Sequence, residues 1–118
     1  MIEHHWQTIE GTVPSKSNLY RFGHNGVYKS EKLKDYEAKF YWQVGTYRNM
    51  NIKNQFELNV NVFYPSIRSD LDNSLKVLLD CLQHTKTIEN DNKCAKIVAQ
   101  KFVDKSRPRV EFQIVEID

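Results

Sequence analysis

At 118 residues the chain is long enough for one hydrophobic core and short for two, so a single domain over residues 1–118 is expected, without disulfide or metal support. Apolar residues make up 40% and charged residues 27%, with four Gly and three Pro, which excludes the disordered and fibrous classes. No apolar run approaches a membrane span or a signal-peptide core, so a cytoplasmic protein with no membrane contact is expected. Seventeen Lys+Arg against fifteen Asp+Glu leave a net charge of +2, which excludes the strongly basic histone-like class.

In chain order, residues 2–10 are read as an opening strand. Residues 16–34 follow, with Lys16, Arg21, Lys29, Lys32 and Lys34 set against the single acid Glu31 and interleaved with Tyr20, Phe22 and Tyr28. Basic groups mixed with aromatics suit a phosphate backbone carrying unstacked bases, although a solvated loop with its aromatics turned inward fits the same residues. Ser30 followed by Leu33, Tyr36, Phe40 and Val44 predicts an N-capped helix, stopped by Gly45. From Phe56 to Tyr64 apolar and polar residues alternate with period two, a strand with one buried face ended by Pro65. Leu75, Leu78, Leu79 and Leu82 repeat at helical spacing and predict a second amphipathic helix over residues 73–84. Residues 96–103 and 109–117 are rich in strand formers and joined by Asp104-Lys105-Ser106-Arg107-Pro108, which predicts a hairpin. The order predicts a small α/β domain with a mixed sheet and two main helices. Cys81 and Cys94 belong to no CxxC pair, and with His4-His5 they make no zinc pattern, so both are read as free thiols.

The chemistry concentrates in Arg68-Ser69-Asp70-Leu71-Asp72-Asn73-Ser74-Leu75-Lys76. Asp70 and Asp72 are two apart where a strand runs through a loop into a helix. In extended geometry their carboxylates project the same way and repel unless a hard divalent cation such as Mg²⁺ lies between them. Lys76 is one helical turn beyond Asp72. A carboxylate-bound metal and an ammonium one turn away suit a phosphodiester, with the lysine neutralising the developing phosphorane. The same residues also fit a plainer role, with Asp72 as a helix cap and Lys76 paired to Asp72 or Asp80. Downstream, Glu89-Asn90-Asp91-Asn92 offers Asp91 as a third acid, or simply a turn.

Taken together, these residues resemble the RusA family of Holliday junction resolvases. The likeness runs through Pro14-Ser15-Lys16-Ser17-Asn18-x-Tyr20, then Asp70-x-Asp72-Asn73-x-x-Lys76 with the apolar helix Val77-Leu78-Leu79-Asp80, then Ile88-Glu89-Asn90-Asp91 and the closing strands. The resemblance implies a RusA-like fold and an Mg²⁺-dependent endonuclease, with Mn²⁺ able to substitute and no small organic cofactor. It would bind four-way junction DNA as a homodimer and make symmetric paired incisions, in recombination and repair or in phage DNA processing. By motif position Asp70, Asp72 and Asp91 would hold the metal and Lys76 would be catalytic. Asn73 would support them, and Lys16, Arg21, Lys29 and Arg68 would contact DNA. Where the family often shows two adjacent acids, this chain has Asn90-Asp91. Phe63 with Tyr64, or Tyr41 with Trp42, are candidate apolar interface positions. Two other functions fit the residues: a non-catalytic branched-DNA-binding module using residues 16–34, and a metal-dependent phosphoesterase acting on a small substrate.

Overall fold

The computed structural model describes residues 1–117. Its sheet is mixed. The central strand β5 (Phe56–Tyr64) pairs antiparallel with β7 (Arg109–Glu116) on one edge and parallel with β6 (Cys94–Val103) on the other. The outer edge of β7 receives two short strands, β1 (Ile2–Glu3) and β2 (Gln7–Glu10), so the predicted opening strand is interrupted at residues 4–6.

The alternation in β5 explains its place. Phe56, Leu58, Val60, Val62 and Tyr64 are all at most 1% exposed, and each such burial contributes about 1.5–3 kcal/mol over leaving the side chain in water. This face is covered by α1 (Glu31–Gln43) and α2 (Leu71–His84). Ser30 caps α1 as predicted, its Oγ accepting from the Leu33 amide at 3.1 Å. The same hydroxyl donates to the Asn18 carbonyl, tying the basic segment to the helix start. Phe40 of α1 stacks on Phe112 of β7, so α1 lies toward the β2 side and α2 toward β6. On the other face Phe63 stacks on Phe102 and carries the Arg109 guanidinium 3.7 Å above its ring centroid.

Three expectations are corrected. Strands β6 and β7 do not form a hairpin, because β5 lies between them. The five-residue connection steps across the end of β5, a span of about 10 Å that five residues cover easily, and the Asp104 amide donates to the Tyr64 carbonyl on the way. Of the two readings of residues 16–34, the loop with its aromatics turned inward does not stand: residues 20–29 form a separate two-stranded ribbon, β3 (Tyr20–Gly23) with β4 (Gly26–Lys29), and Tyr20, Phe22 and Tyr28 are exposed. Gly26, at φ +104°, supplies the backbone conformation its turn requires. Tyr64 is buried rather than available to an interface, whereas Trp42 is 75% exposed. Among the described residues no helix is long and apolar enough to cross a membrane.

Candidate active site and nucleic-acid interface

The loop from β5 into α2 is fixed from below. Tyr64, last on its strand, donates its hydroxyl proton to the Asp70 carbonyl at 3.1 Å. With that proton committed, the buried Ser74 hydroxyl donates to the Tyr64 oxygen. Burial raises the Tyr64 phenol above its ordinary range; the Ser74 bond opposes this, and the Asp70 and Asp72 carboxylates add to it. From β6, the Lys101 ammonium donates to the carbonyls of Ile67 and Ser69, each at 2.7 Å. The backbone immediately before Asp70 is thus held from two strands.

On this support stand the motif residues. Asp70 is the residue preceding α2, and its side chain makes no capping bond. Asp72 lies in the first turn with its Oδ1 accepting from the Asn73 amide at 2.9 Å, so α2 begins two residues earlier than its leucine spacing indicates. Both carboxylates are exposed. Asn73 donates its side-chain amide to the Pro14 carbonyl at 3.0 Å, joining the segment 14–18 to the head of α2 around a pocket of about 190 Å³ lined by Ser15, Lys16, Arg68 and Asp70. Two motifs that lie 59 residues apart in the sequence therefore meet.

Lys76 borders a larger groove of about 440 Å³ between α2 and the β3–β4 ribbon, lined by Lys16, Tyr20, Phe22, Lys29, Asp80 and His84 among others. Lys29 is already engaged there. Its ammonium is 2.8 Å from Glu37, and this hydrogen bond raises its pKa. Arg21 and Arg68 are exposed; Arg21 reaches back to the carbonyls of Ser17 and Tyr20.

Asp91 is elsewhere. It opens a short 3-10 turn (Asp91–Lys93) before β6, and its amide donates to Gln83 Oε1 at 2.9 Å. It also lies near Asp80, whose carboxyl is raised first by burial; Lys76 opposes that shift and Asp91 adds to it. Because β5 and β6 are parallel, the loop leaving β5 and the loop entering β6 lie at opposite ends of the sheet. Asp70 precedes α2 and Gln83 nearly ends it, so Asp91 stands roughly 20 Å along the helix from Asp70. Within one chain, therefore, the three acids that motif position assigns to the metal do not lie at one end of the sheet. Among the described residues no three His, Cys, Asp or Glu side chains gather into a metal-holding group. The pair Asp70 and Asp72 suits a hard cation in donor chemistry and lacks a third ligand from its own chain. Asn90, where an acid was noted as missing, has a local role: its Oδ1 accepts from the Asn92 amide at 3.0 Å and caps the turn that carries Asp91.

Sequence reasoning missed the Tyr64–Ser74 support and Lys101. The ribbon was signalled by Asn25-Gly26 between alternating Tyr20, Phe22 and Val27, Lys29.

The family model for Endodeoxyribonuclease RusA matches residues 11–115. The chain is also 28% identical over 104 residues to the crossover junction endodeoxyribonuclease RusA of Aquifex aeolicus (strain VF5), covering 86% of this chain and 82% of that protein. The matched span takes in the segment 14–18, both ends of α2 and the closing strands, and so every residue assembled above: the chain belongs to the RusA family of endodeoxyribonucleases.

Proposed function

We propose that the protein is a divalent-metal-dependent endonuclease that resolves four-way DNA junctions by paired incisions, acting as a homodimer whose two sites are each completed across the subunits. The observation that carries the reading is the exposed Asp70-x-Asp72-Asn73-x-x-Lys76 head of α2 in a chain of this family. Asp70 and Asp72 of one subunit, with Asp91 of the partner subunit, would hold Mg²⁺ or Mn²⁺. When bound, such an ion activates water and stabilises charge on the phosphate. Lys76, one turn from Asp72, places its ammonium where it neutralises the non-bridging oxygens of the scissile phosphate. Asn73 keeps the segment 14–18 against the helix head, so that Lys16 stands beside the acids. Arg68, exposed on the loop before Asp70, supplies positive charge to the DNA approaching that end.

The distance along α2 supports the shared site. Acids roughly 20 Å apart cannot bind one ion, while a two-fold axis running beside α2 near its middle sets each end of the helix alongside the opposite end of its partner. A four-way junction offers two equivalent strands, and a two-fold protein matches them. A second reading, a branched-DNA-binding module without catalysis, is favoured by the lack of a three-ligand group within the described chain.

The deciding experiment uses a synthetic four-way junction beside a linear duplex of the same sequence, with Mg²⁺, Mn²⁺ or chelator. Asp72→Asn and Asp91→Asn proteins are assayed singly and co-expressed. Each alone is expected to bind the junction without cutting. The mixed dimer retains one intact site and is expected to nick a single strand. A wild-type protein that cuts while the mixture stays inert would overturn the shared site. Junction binding without cutting by the wild type under every metal condition would establish the binding module instead.

A further inference from the structure

Asp72, Lys76 and Asp80 follow one another at i, i+4 and i+8 and so form one row along α2. Lys76 and Asp80 border the groove of about 440 Å³ between this helix and the β3–β4 ribbon, a size in the range of small-ligand pockets. Buried Leu33 and Val77 give the groove an apolar floor. Opposite α2 stand the rings of Tyr20 and Phe22, two apart on β3 and therefore on one face of the ribbon. They are 44% and 84% exposed, and among the described residues the ribbon pairs only with itself. Two large rings thus face a groove without serving the core.

The charges are sorted along the groove. Lys16 also lines the small pocket beside Asp70, so Lys16 and Lys76 mark the end nearest the motif acids. Deeper in, Glu37 is engaged by Lys29 at 2.8 Å. Asp80 meets only the unbonded charges of its neighbours, and no hydrogen bond from a described residue satisfies its carboxylate. A phosphate seated here would face Glu37 and Asp80, both of its own sign. A nucleobase would not. Its face can stack on the exposed rings, and an exocyclic amino group offers the donor that a carboxylate, which only accepts, requires. Asp80 lies about 6 Å beyond Lys76 along the helix, comparable with the distance from a nucleotide's phosphate to its base.

We infer that the groove between α2 and the β3–β4 ribbon receives one unpaired nucleobase beside the scissile phosphate, its face against Phe22 and Tyr20 and its exocyclic amino group on Asp80. It rests on the junction-nuclease reading above and adds a base-reading site to it. Lys76 holds the phosphate while Asp80, one turn on, reads the base that the phosphate carries. Adenine, cytosine and guanine each present an amino group, and thymine presents none. A base held in a continuous duplex stack cannot reach between helix and ribbon. Unstacking costs least where stacking is already interrupted, as at the branch point of a four-way junction, so the same groove favours the junction over a linear duplex.

The test uses four-way junctions that differ only at one nucleotide, placed in turn on each side of the cut, which carries each of the four bases or is abasic. In single-turnover cleavage the wild type is expected to cut junctions with an amino-bearing base about tenfold or more faster than those with thymine or the abasic site. Asp80→Asn, whose amide also donates, is expected to bring the ratio to thymine close to one. A ratio between bases cancels any general change in rate passed on through Lys76. Phe22→Ala, at a position 84% exposed, is expected to narrow the gap between every base and the abasic site. Titration of the same junctions with Asp72→Asn protein reads the groove without cleavage. Wild-type rates that ignore the base, or a preference that survives both Asp80→Asn and Phe22→Ala, overturn the groove and leave the nuclease standing. A base preference in binding that Asp80→Asn removes, from a protein whose wild type cuts under no metal condition, would uphold the groove and reject the nuclease.

Discussion

The two ends of α2 carry acids of the same proposed site and are built in different ways. At the N-terminal end the backbone of Asp70 rests on a buried Tyr64–Ser74 pair, and Lys101 pins the residues before it. At the C-terminal end the helix itself is anchored, Thr85 Oγ1 lying within hydrogen-bond distance of the Cys81 and Leu82 carbonyls and of Thr87 Oγ1. Asp91 lies outside that anchor, on a surface turn held to α2 by the exposed Gln83 side chain. One end is set by the core of its own subunit. The other is presented outward, which suits a ligand delivered to a neighbour.

The largest effect that tests this contrast belongs to Lys76. Removing an electrostatic donor that acts on a developing charge commonly costs about 100- to 1,000-fold in rate, and Lys76→Gln should lose that much junction cleavage. Its side chain is exposed, so the thermal midpoint and the binding of uncut junction should hold. Single-turnover cleavage beside a binding titration separates the two. A matching loss in binding would make Lys76 one more phosphate contact.

Next comes the support beneath Asp70. Tyr64→Phe leaves the Ser74 hydroxyl buried without its partner, which costs about 1–3 kcal/mol. For a chain of this size the thermal midpoint should fall by roughly 3–10 °C. Adding Ser74→Ala removes the orphaned group, and the double variant should recover part of the loss, as paired deletions do. Cleavage by the double variant should stay below wild type, because the Asp70 carbonyl has lost the phenol that fixes it. Full recovery of both stability and rate would show that Asp70 needs no such support.

How much of this was legible in the sequence follows from what local pattern encodes. The β5 strand, both helices and the Ser30 cap rest on periodicity and capping chemistry that act within a few residues, and they stand where the pattern puts them. The head of α2 was legible for the same reason: D-x-D-N-x-x-K is one continuous stretch. The position of Asp91 was not, because it depends on strand direction. Residues 94–103 look alike whether they run with β5 or against it. Only the parallel pairing, closed by α2 as its crossover, sends the loop before β6 to the far end of the sheet. The β3–β4 ribbon escaped notice because its apolar positions are exposed, with Phe22 84% and Val27 60% accessible, so no buried face marks it as a strand.

The smallest effect is expected at Gln83. Its Oε1 accepts from the Asp91 amide on the surface, and such a bond contributes about 0.5–1.5 kcal/mol. Gln83→Ala should leave stability nearly unchanged and let the turn drift, lowering cleavage roughly two- to tenfold, the rate equivalent of that bond. Gln83→Glu keeps an acceptor oxygen at the same reach and should retain most of the rate, which separates loss of the hydrogen bond from a change of surface shape. Because the affected acid is proposed to serve the neighbouring subunit, the defect should follow the chain that donates Asp91. In a mixed dimer with an Asp91→Asn partner, only the site fed by the chain with Asp91 intact can cut, so Gln83→Ala should slow nicking when carried by that chain and have no effect when carried by the Asp91→Asn chain. Equal slowing from either chain would mean that Gln83 acts on the dimer as a whole. A loss as deep as that of Lys76→Gln would mean that the two ends of α2 are equally rigid parts of the site.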